Sequence, residues 1–414
     1  MVRLSRAQQQ ERTRATVLAA ARAEFTERGY AAAKVDGIAE RAELTRGAVY
    51  SNFPSKRALY LAVLLDLVGD TPVEHPAVDG GPPPPQAPPP PLAGTLGAFA
   101  RARLGRLPLT GDMTAVDQVR SRSLAGVLDG GPIRAAFGQL ARLEALLLAL
   151  ALEARSPDGV PPVRQVRRAE LVLRLLDGPG ASVDPALGSG DPFDIAQACA
   201  HLGGLALADS WDPPHLPHVP AARACREPWN PPEGTRDLIT GLPVGCAEDG
   251  VIALLGSHRL EATEEIVRAA RAGDQVTVAV ATADPAEIGR LVRLRVGDMT
   301  SDLRRVFPPD ACPRLRLVLD DRGLLASALG VPDADDTTEH AVRVHRGALV
   351  ARAKGRGAGH AVATSATSAT SATSATSATS ATSATSATSA TSATSDRTAS
   401  PAISHTTTPE GTAS

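Results

Sequence analysis

The sequence predicts a mainly α chain: an N-terminal three-helix unit and a helical body, followed by a smaller α/β module and a disordered tail. Three observations predict it. Apolar residues recur at three- and four-residue spacing through most of the first two hundred positions. Beyond about Leu238 the pattern changes to short Val- and Leu-rich runs alternating with helical stretches. Residues 363–395 are Ala-Thr-Ser repeated eleven times, a tract with neither charge nor an apolar face to bury. At 414 residues the chain has room for two or three domains.

Ser5-Arg6-Ala7-Gln8 has capping-box spacing, so a first helix starts near Arg6. Val17, Leu18, Ala21 and Phe25 form its apolar stripe, and Gly29 ends it. Val35, Ile38, Ala39 and Ala42 give the next helix its buried face. Ala42-Glu43-Leu44 reads as a tight turn, and Thr45 is a suitable N-cap for a short helix from Arg46 to Tyr50. Pro54 closes that helix and Ser55 can cap the next, whose Leu59, Ala62, Val63 and Val68 face inward.

Two short helices about a tight turn suit DNA. Gly47 and Ala48 are small enough to let the second helix approach base edges, and Arg46 can reach guanine or phosphate. Thr45, Tyr50 and Lys56 can bond phosphates, and the helix N-terminus at Ser55 attracts an anion. Residues 1–60 hold 11 Lys or Arg against six acids, on a chain of net charge −2. A basic head on an acidic body follows, as expected of a DNA-binding unit on a body that does not bind DNA.

Gly29-Tyr30, then Val35-Asp36-x-Ile38-Ala39, then Thr45-Arg46-Gly47-Ala48-Val49-Tyr50-x-Asn52-Phe53-x-Ser55-Lys56-x-x-Leu59, resembles the DNA-binding domain of TetR/AcrR-type repressors. The resemblance runs from roughly Arg12 to Leu67 and implies a DNA-binding domain over 11–71. It implies base contacts from Arg46, Gly47 and Ala48, and phosphate contacts from Lys34, Thr45, Tyr50, Asn52 and Lys56. Lys34 departs from the family's usual Ser or Thr N-cap, so its ammonium would replace a capping hydroxyl. The family further implies a homodimer on a near-palindromic double-stranded operator, with release by an unknown small-molecule effector.

Residues 72–91 read as a Pro-rich linker, since ten of positions 71–91 are proline. Helices are expected over 92–211 around Leu96 to Leu104, Val116 to Leu128, Ile133 to Ala154, Val163 to Leu176 and Phe193 to Ala208. By resemblance this is the ligand-binding and dimerisation domain, with an aliphatic pocket favoured because aromatics are scarce. A second Pro-rich linker covers 212–237. Its His215 and His218 lie between prolines without preformed metal geometry.

The α/β module covers 238–360, with strands at Val251–Leu255, Val276–Val280 and Leu315–Leu319 and a hairpin about Arg346-Gly347. Residues 250–358 resemble the second half of a thioredoxin-like or peroxiredoxin-like domain. A redox member needs a thiolate after the first strand, where this chain has Gly256-Ser257-His258-Arg259. The proline expected near Thr338-Glu339 is missing too. Cys199, Cys225, Cys246 and Cys312 form no C-x-x-C pair, so neither a zinc site nor a disulfide framework is expected. The tail, 361–414, is expected to be disordered.

The N-terminus lacks a signal-peptide pattern, and the longest apolar run, around Leu146 to Leu152, is too short to span a bilayer. The expectation is a cytoplasmic, non-enzymatic regulator without metal, cofactor or membrane partner. The alternative is a DNA-tethered thiol oxidoreductase, or a protein that recruits a partner through its thioredoxin-like module.

Overall fold

The computed structural model describes residues 5–69, 91–105, 126–156, 162–181, 191–308, 311–312 and 314–365. The described residues all fall in one compact unit. Most of the tail expected to be disordered, and most of the linker over 72–91, lie outside the described residues. So does the helix expected from Val116, except Gly126–Leu128, which form a turn. The described residues form twelve helices and one mixed six-stranded sheet.

The head comprises α1 (Arg6–Ala32), α2 (Val35–Arg41), α3 (Arg46–Asn52) and α4 (Lys56–Gly69). Ser5 and Gln8 close the capping box on α1, and Gly29, at φ 69°, breaks its helical path three residues before the end. Val17, Phe25, Ile38, Val49, Phe53 and Leu59 are buried together. Burying such a side chain stabilises by about 1.5–3 kcal/mol, which is how helices as short as α2 and α3 persist.

The body holds α5 (Leu92–Leu104), α6 (Gly131–Glu153), α7 (Val166–Ala181) and α8 (Pro192–His201). α5 lies along α8, and α6 along α7. α8 stops earlier than the expected Ala208 and passes into a single tight turn, Leu202–Gly204. There the chain runs against α5, and a Cβ on Gly203 would stand 2.6 Å from the Ala93 backbone. α6 is long and apolar enough to cross a membrane by length and composition, which the apolar run alone did not suggest. It is nevertheless mostly buried in this fold and carries the buried Glu144.

The remaining elements are β1 (Arg223–Pro228), β2 (Gly250–Gly256), α9 (Ala262–Ala269), β3 (Gln275–Ala281), α10 (Arg290–Arg304), β4 (Leu315–Leu319), α11 (Leu324–Ala328), β5 (Glu339–His345), β6 (Ala348–Lys354) and α12 (Ala358–Thr364). The sheet order is β1-β6-β5-β2-β3-β4. β2, β3 and β4 run parallel, β5 antiparallel to β2, β6 to β5, and β1 to β6. Parallel strands must be buried on both faces, and β2 is buried throughout.

β1 lies inside the stretch expected to be a linker, and adds an edge strand to the sheet. Pro228 is its last residue, a position where the missing N–H costs no ladder bond. β5 fixes both ends of α12. Glu339 Oε1 accepts from the Gly357 and Ala358 N–H groups, and Arg343 donates to the Val362 and Ala363 carbonyls. Arg343 is fully buried and also meets Asp274 through both terminal nitrogens.

α10 packs against both α6 and α4, so the sheet's helical layer touches the body and the head. Glu144 of α6, buried, receives two 2.6 Å bonds from Arg295 of α10. Arg103 of α5 reaches Asp177 at 2.8 Å and Asp302 at 3.3 Å.

Candidate nucleic-acid interface and effector cavity

The α2–α3 pair is set by local chemistry. Thr45 Oγ1 accepts from the Ala48 N–H at 3.2 Å and starts α3. Glu43 takes a left-handed conformation, φ 54°, and reverses the chain between the helices. Leu44 plugs the turn, while Val49 and Phe53 anchor α3 from below. Lys34 precedes α2 without any side-chain capping bond, and its exposed ammonium has no ion-pair partner among the described residues.

The core beneath α2 contains a residue that periodicity alone misses. Glu24 of α1 is buried, and its carboxylate takes Arg41 at 3.1 Å, Arg28 at 3.4 Å and the Lys34 N–H at 3.4 Å. A Cβ on Gly37 would lie 3.1 Å from its oxygen, so Gly37 leaves room for this carboxylate. A charged residue among apolar neighbours on the α1 stripe was the available signal.

Thr45, Arg46, Gly47 and Tyr50 are exposed, and Ala48 is half-buried. Nothing in the fold requires glycine at 47: an added Cβ would meet only Thr45 Oγ1, at 3.8 Å. The Arg46 guanidinium lies 5.5 Å over the Tyr50 ring and 3.3 Å from Asp36 Oδ1. Its hydrogen bond to Tyr50, then the charge of Asp36, raise its pKa further above an already high value.

Two of the expected phosphate ligands are otherwise engaged. Asn52 Nδ2 donates to the Ala48 carbonyl at 2.9 Å. Lys56 Nζ donates to the Ala31 carbonyl at 3.2 Å and sits 4.7 Å over the Tyr30 ring. Burial lowers the Lys56 pKa. Tyr30 and Tyr60 pack at 5.0 Å, and burial pushes the Tyr60 hydroxyl up to about 12.

The first turn of α4 is occupied from the α/β module. Ser55 Oγ caps the Ala58 N–H at 2.9 Å and donates to Glu287 Oε1. Glu287 Oε2 takes Arg57 at 2.8 Å. Arg290 donates to the Ala58 carbonyl at 3.1 Å, and its guanidinium lies over Phe53, as does that of Arg14.

A cavity of about 470 Å³ opens where α6 and α7 meet α9. Its apolar walls are Leu143, Leu146, Val166, Trp211 and Leu260, and charges crowd the rest. Arg164 forms paired bonds to Glu264 at 2.7 and 2.8 Å, bonds Asp209, and stacks 4.9 Å over Trp211. His215 stands 3.0 Å from the buried Glu265, whose pKa is raised by burial against the lowering effect of that imidazole. The cavity is therefore mixed, where an aliphatic one was expected. The His-x-x-His pair does not converge: His215 faces Glu265, and no cluster suited to a metal occurs among the described residues.

At the junction of β2 and α9, where a thioredoxin-type thiolate would stand, the buried Ser257 donates to Asp336 at 2.7 Å. The four cysteines are free and none is at that junction.

The family model for bacterial regulatory proteins of the tetR family matches residues 17–63. The chain thus carries a TetR-type N-terminal domain containing α2 and α3. A solved structure assigned to the TetR family of transcriptional regulators, from Mesorhizobium loti MAFF303099, is similar at 15% identity over 48% of this chain and 97% of that one. Its TM-score is 0.21, which assigns no fold to the body. No curated protein matches the chain.

Proposed function

We propose that this chain, with its TetR-type N-terminal domain, is a sequence-specific DNA-binding transcriptional regulator that acts as a homodimeric repressor. The observation that carries the reading is the exposed start of α3. A Thr45-capped helix presents Arg46, Gly47 and Tyr50 outward, with a glycine that its own fold does not need. Close approach to base edges supplies the reason for Gly47. Arg46, Gly47 and Ala48 face bases, and Lys34, Thr45, Tyr50, Asn52 and Lys56 grip phosphates. Lys56 leaves Ala31 to do so. Two heads sit one helical turn apart, ~34 Å, on a near-palindromic operator.

The effector site is the cavity of about 470 Å³ between α6, α7 and α9. Its mixed lining favours a ligand with both an apolar body and polar groups. Such a ligand releases DNA only by binding the released state more tightly. The α/β module is a thioredoxin-like domain without redox chemistry. A β2–α9–β3 unit flanked by the antiparallel β5–β6 hairpin and α12 supports that reading. The protein works in the cytoplasm, without enzymatic activity.

Selection of sites from random DNA by the full chain tests the proposal, with a Tyr50→Ala/Lys56→Ala double variant as control. An inverted repeat that the control loses is the expected result. Sequence-blind, salt-sensitive binding alone would overturn it.

A further inference from the structure

A second cavity, of about 740 Å³, lies at the carboxyl end of β2's side of the sheet, between the β1–β6 edge and the turn after α11. The operator-binding reading makes no use of it. Its walls are of two kinds. Val219, Leu329, Val331 and Ala353 form an apolar side. Arg223, Lys354 and Arg356 supply three exposed cations that have no ion-pair partner among the described residues. The acid in the lining, Glu339, is already satisfied: it holds Arg259 at 2.8 Å and the first N–H groups of α12. Arg352 is paired with Glu227 at 2.8 Å, but its Nε is buried without a partner.

The concave shape and the apolar wall are what a merely basic surface lacks, and His340 stands beside them. It lies on β5 opposite Lys354 of β6, lines the cavity, and is 8% exposed, with Nδ1 buried and unpartnered. Nδ1 is sealed from solvent, so a ligand in the cavity meets only the rest of the ring, in a setting whose free charges are positive. The Val219 side of the wall is tightly fixed: a Cβ on Gly357 would fall 2.3 Å from Val219 Cγ2.

We propose that this cavity is a binding site for a small organic anion, with its oxyanion held by Arg223, Lys354 and Arg356 and its apolar stem against Val219, Val331 and Ala353. Apolar area confers affinity and the cations set the sign of the head, as in other ligand cavities with a few placed polar groups.

Calorimetry on the full chain tests the site with three probes: octanoate, inorganic phosphate and octylamine. Octanoate is expected to bind once per chain, phosphate at least tenfold more weakly, and octylamine not at all. The exposed pair Arg223→Gln/Lys354→Gln is expected to keep the melting temperature and lose octanoate affinity at least tenfold. Octylamine binding as well as octanoate would overturn the proposal, as would octanoate binding unchanged in the double variant, which would move it to the other cavity. Phosphate binding as tightly as octanoate would overturn the apolar-stem half. Failure of DNA selection would leave this result intact, because neither residue belongs to the head.

Discussion

Glu287, in the turn before α10, accepts the Ser55 hydroxyl at the N-terminus of α4 and completes an ion pair with Arg57 at 2.8 Å. A carboxylate of the α/β module therefore stands where the first turn of α4 would receive an anion. In Glu287→Gln the charge is gone and the shape is kept. DNA affinity is expected to rise by roughly fivefold, the equivalent of about 1 kcal/mol at a helix terminus. The melting temperature should fall at the same time, because the head loses an ionic tie to the module. Anisotropy titrations of a labelled duplex would measure the first effect. Unchanged affinity would place Ser55 and Arg57 away from the DNA backbone.

Lys56 must give up the Ala31 carbonyl and the Tyr30 face to reach a phosphate. Lys56→Ala is expected to weaken binding to all duplexes similarly and to reduce the salt-dependence slope by about one. A slope equal to that of the unmodified protein would leave Lys56 as a brace between α1 and α4.

Arg46 is held by Asp36 and Tyr50 in the free protein, yet both partners are exposed, so the pair adds little stability. Arg46→Ala should leave the melting temperature within about 1 °C. It should relax the preference at one base position by about 1–3 kcal/mol. Loss of binding on all sequences alike would make Arg46 a phosphate contact instead.

What was legible in the sequence follows from range. Thr45 caps α3 through a residue three positions away, and Val35 and Ile38 share a buried face through the spacing that a helix imposes. These features are local, so residue order alone foretells them. Glu287 reaches Ser55 across 232 positions, and no periodicity encodes that meeting. β1 was hidden for another reason. Prolines around it mark a loop by composition, but an edge strand can end on proline without losing a ladder bond. His340 and Arg343, three residues apart on β5, read alike as polar interruptions of an apolar strand. Only the fold separates Arg343, bonded at every turn to Asp274 and α12, from His340, whose Nδ1 is unpartnered.

Glu144 shows how the body and the module are joined. Its carboxylate is buried in α6 and takes both 2.6 Å bonds from Arg295. Removing one partner leaves a buried charge behind. Glu144→Ala is expected to cost about 3–5 kcal/mol, whereas replacing both residues with apolar side chains should restore much of that loss. Denaturant titrations of the single and double variants would measure this. A double variant no more stable than Glu144→Ala would mean that Arg103, 3.9 Å away, carries the cost instead.

Cys312 decides the remaining enzymatic reading. Its Sγ donates to the Leu147 carbonyl at 3.7 Å, and burial, then the charges of Asp237 and Glu153, push the thiol up to about 12. Near neutral pH the group stays a thiol, whereas the thiolate is the form that attacks a disulfide or peroxide. A chromogenic thiol reagent should therefore leave Cys312 untouched in the folded chain and titrate it only in denaturant. Peroxide consumption supported by a thiol reductant should stay at the rate without protein. Fast labelling of Cys312, together with turnover abolished by Cys312→Ser, would instead make the module a working oxidoreductase tethered to DNA.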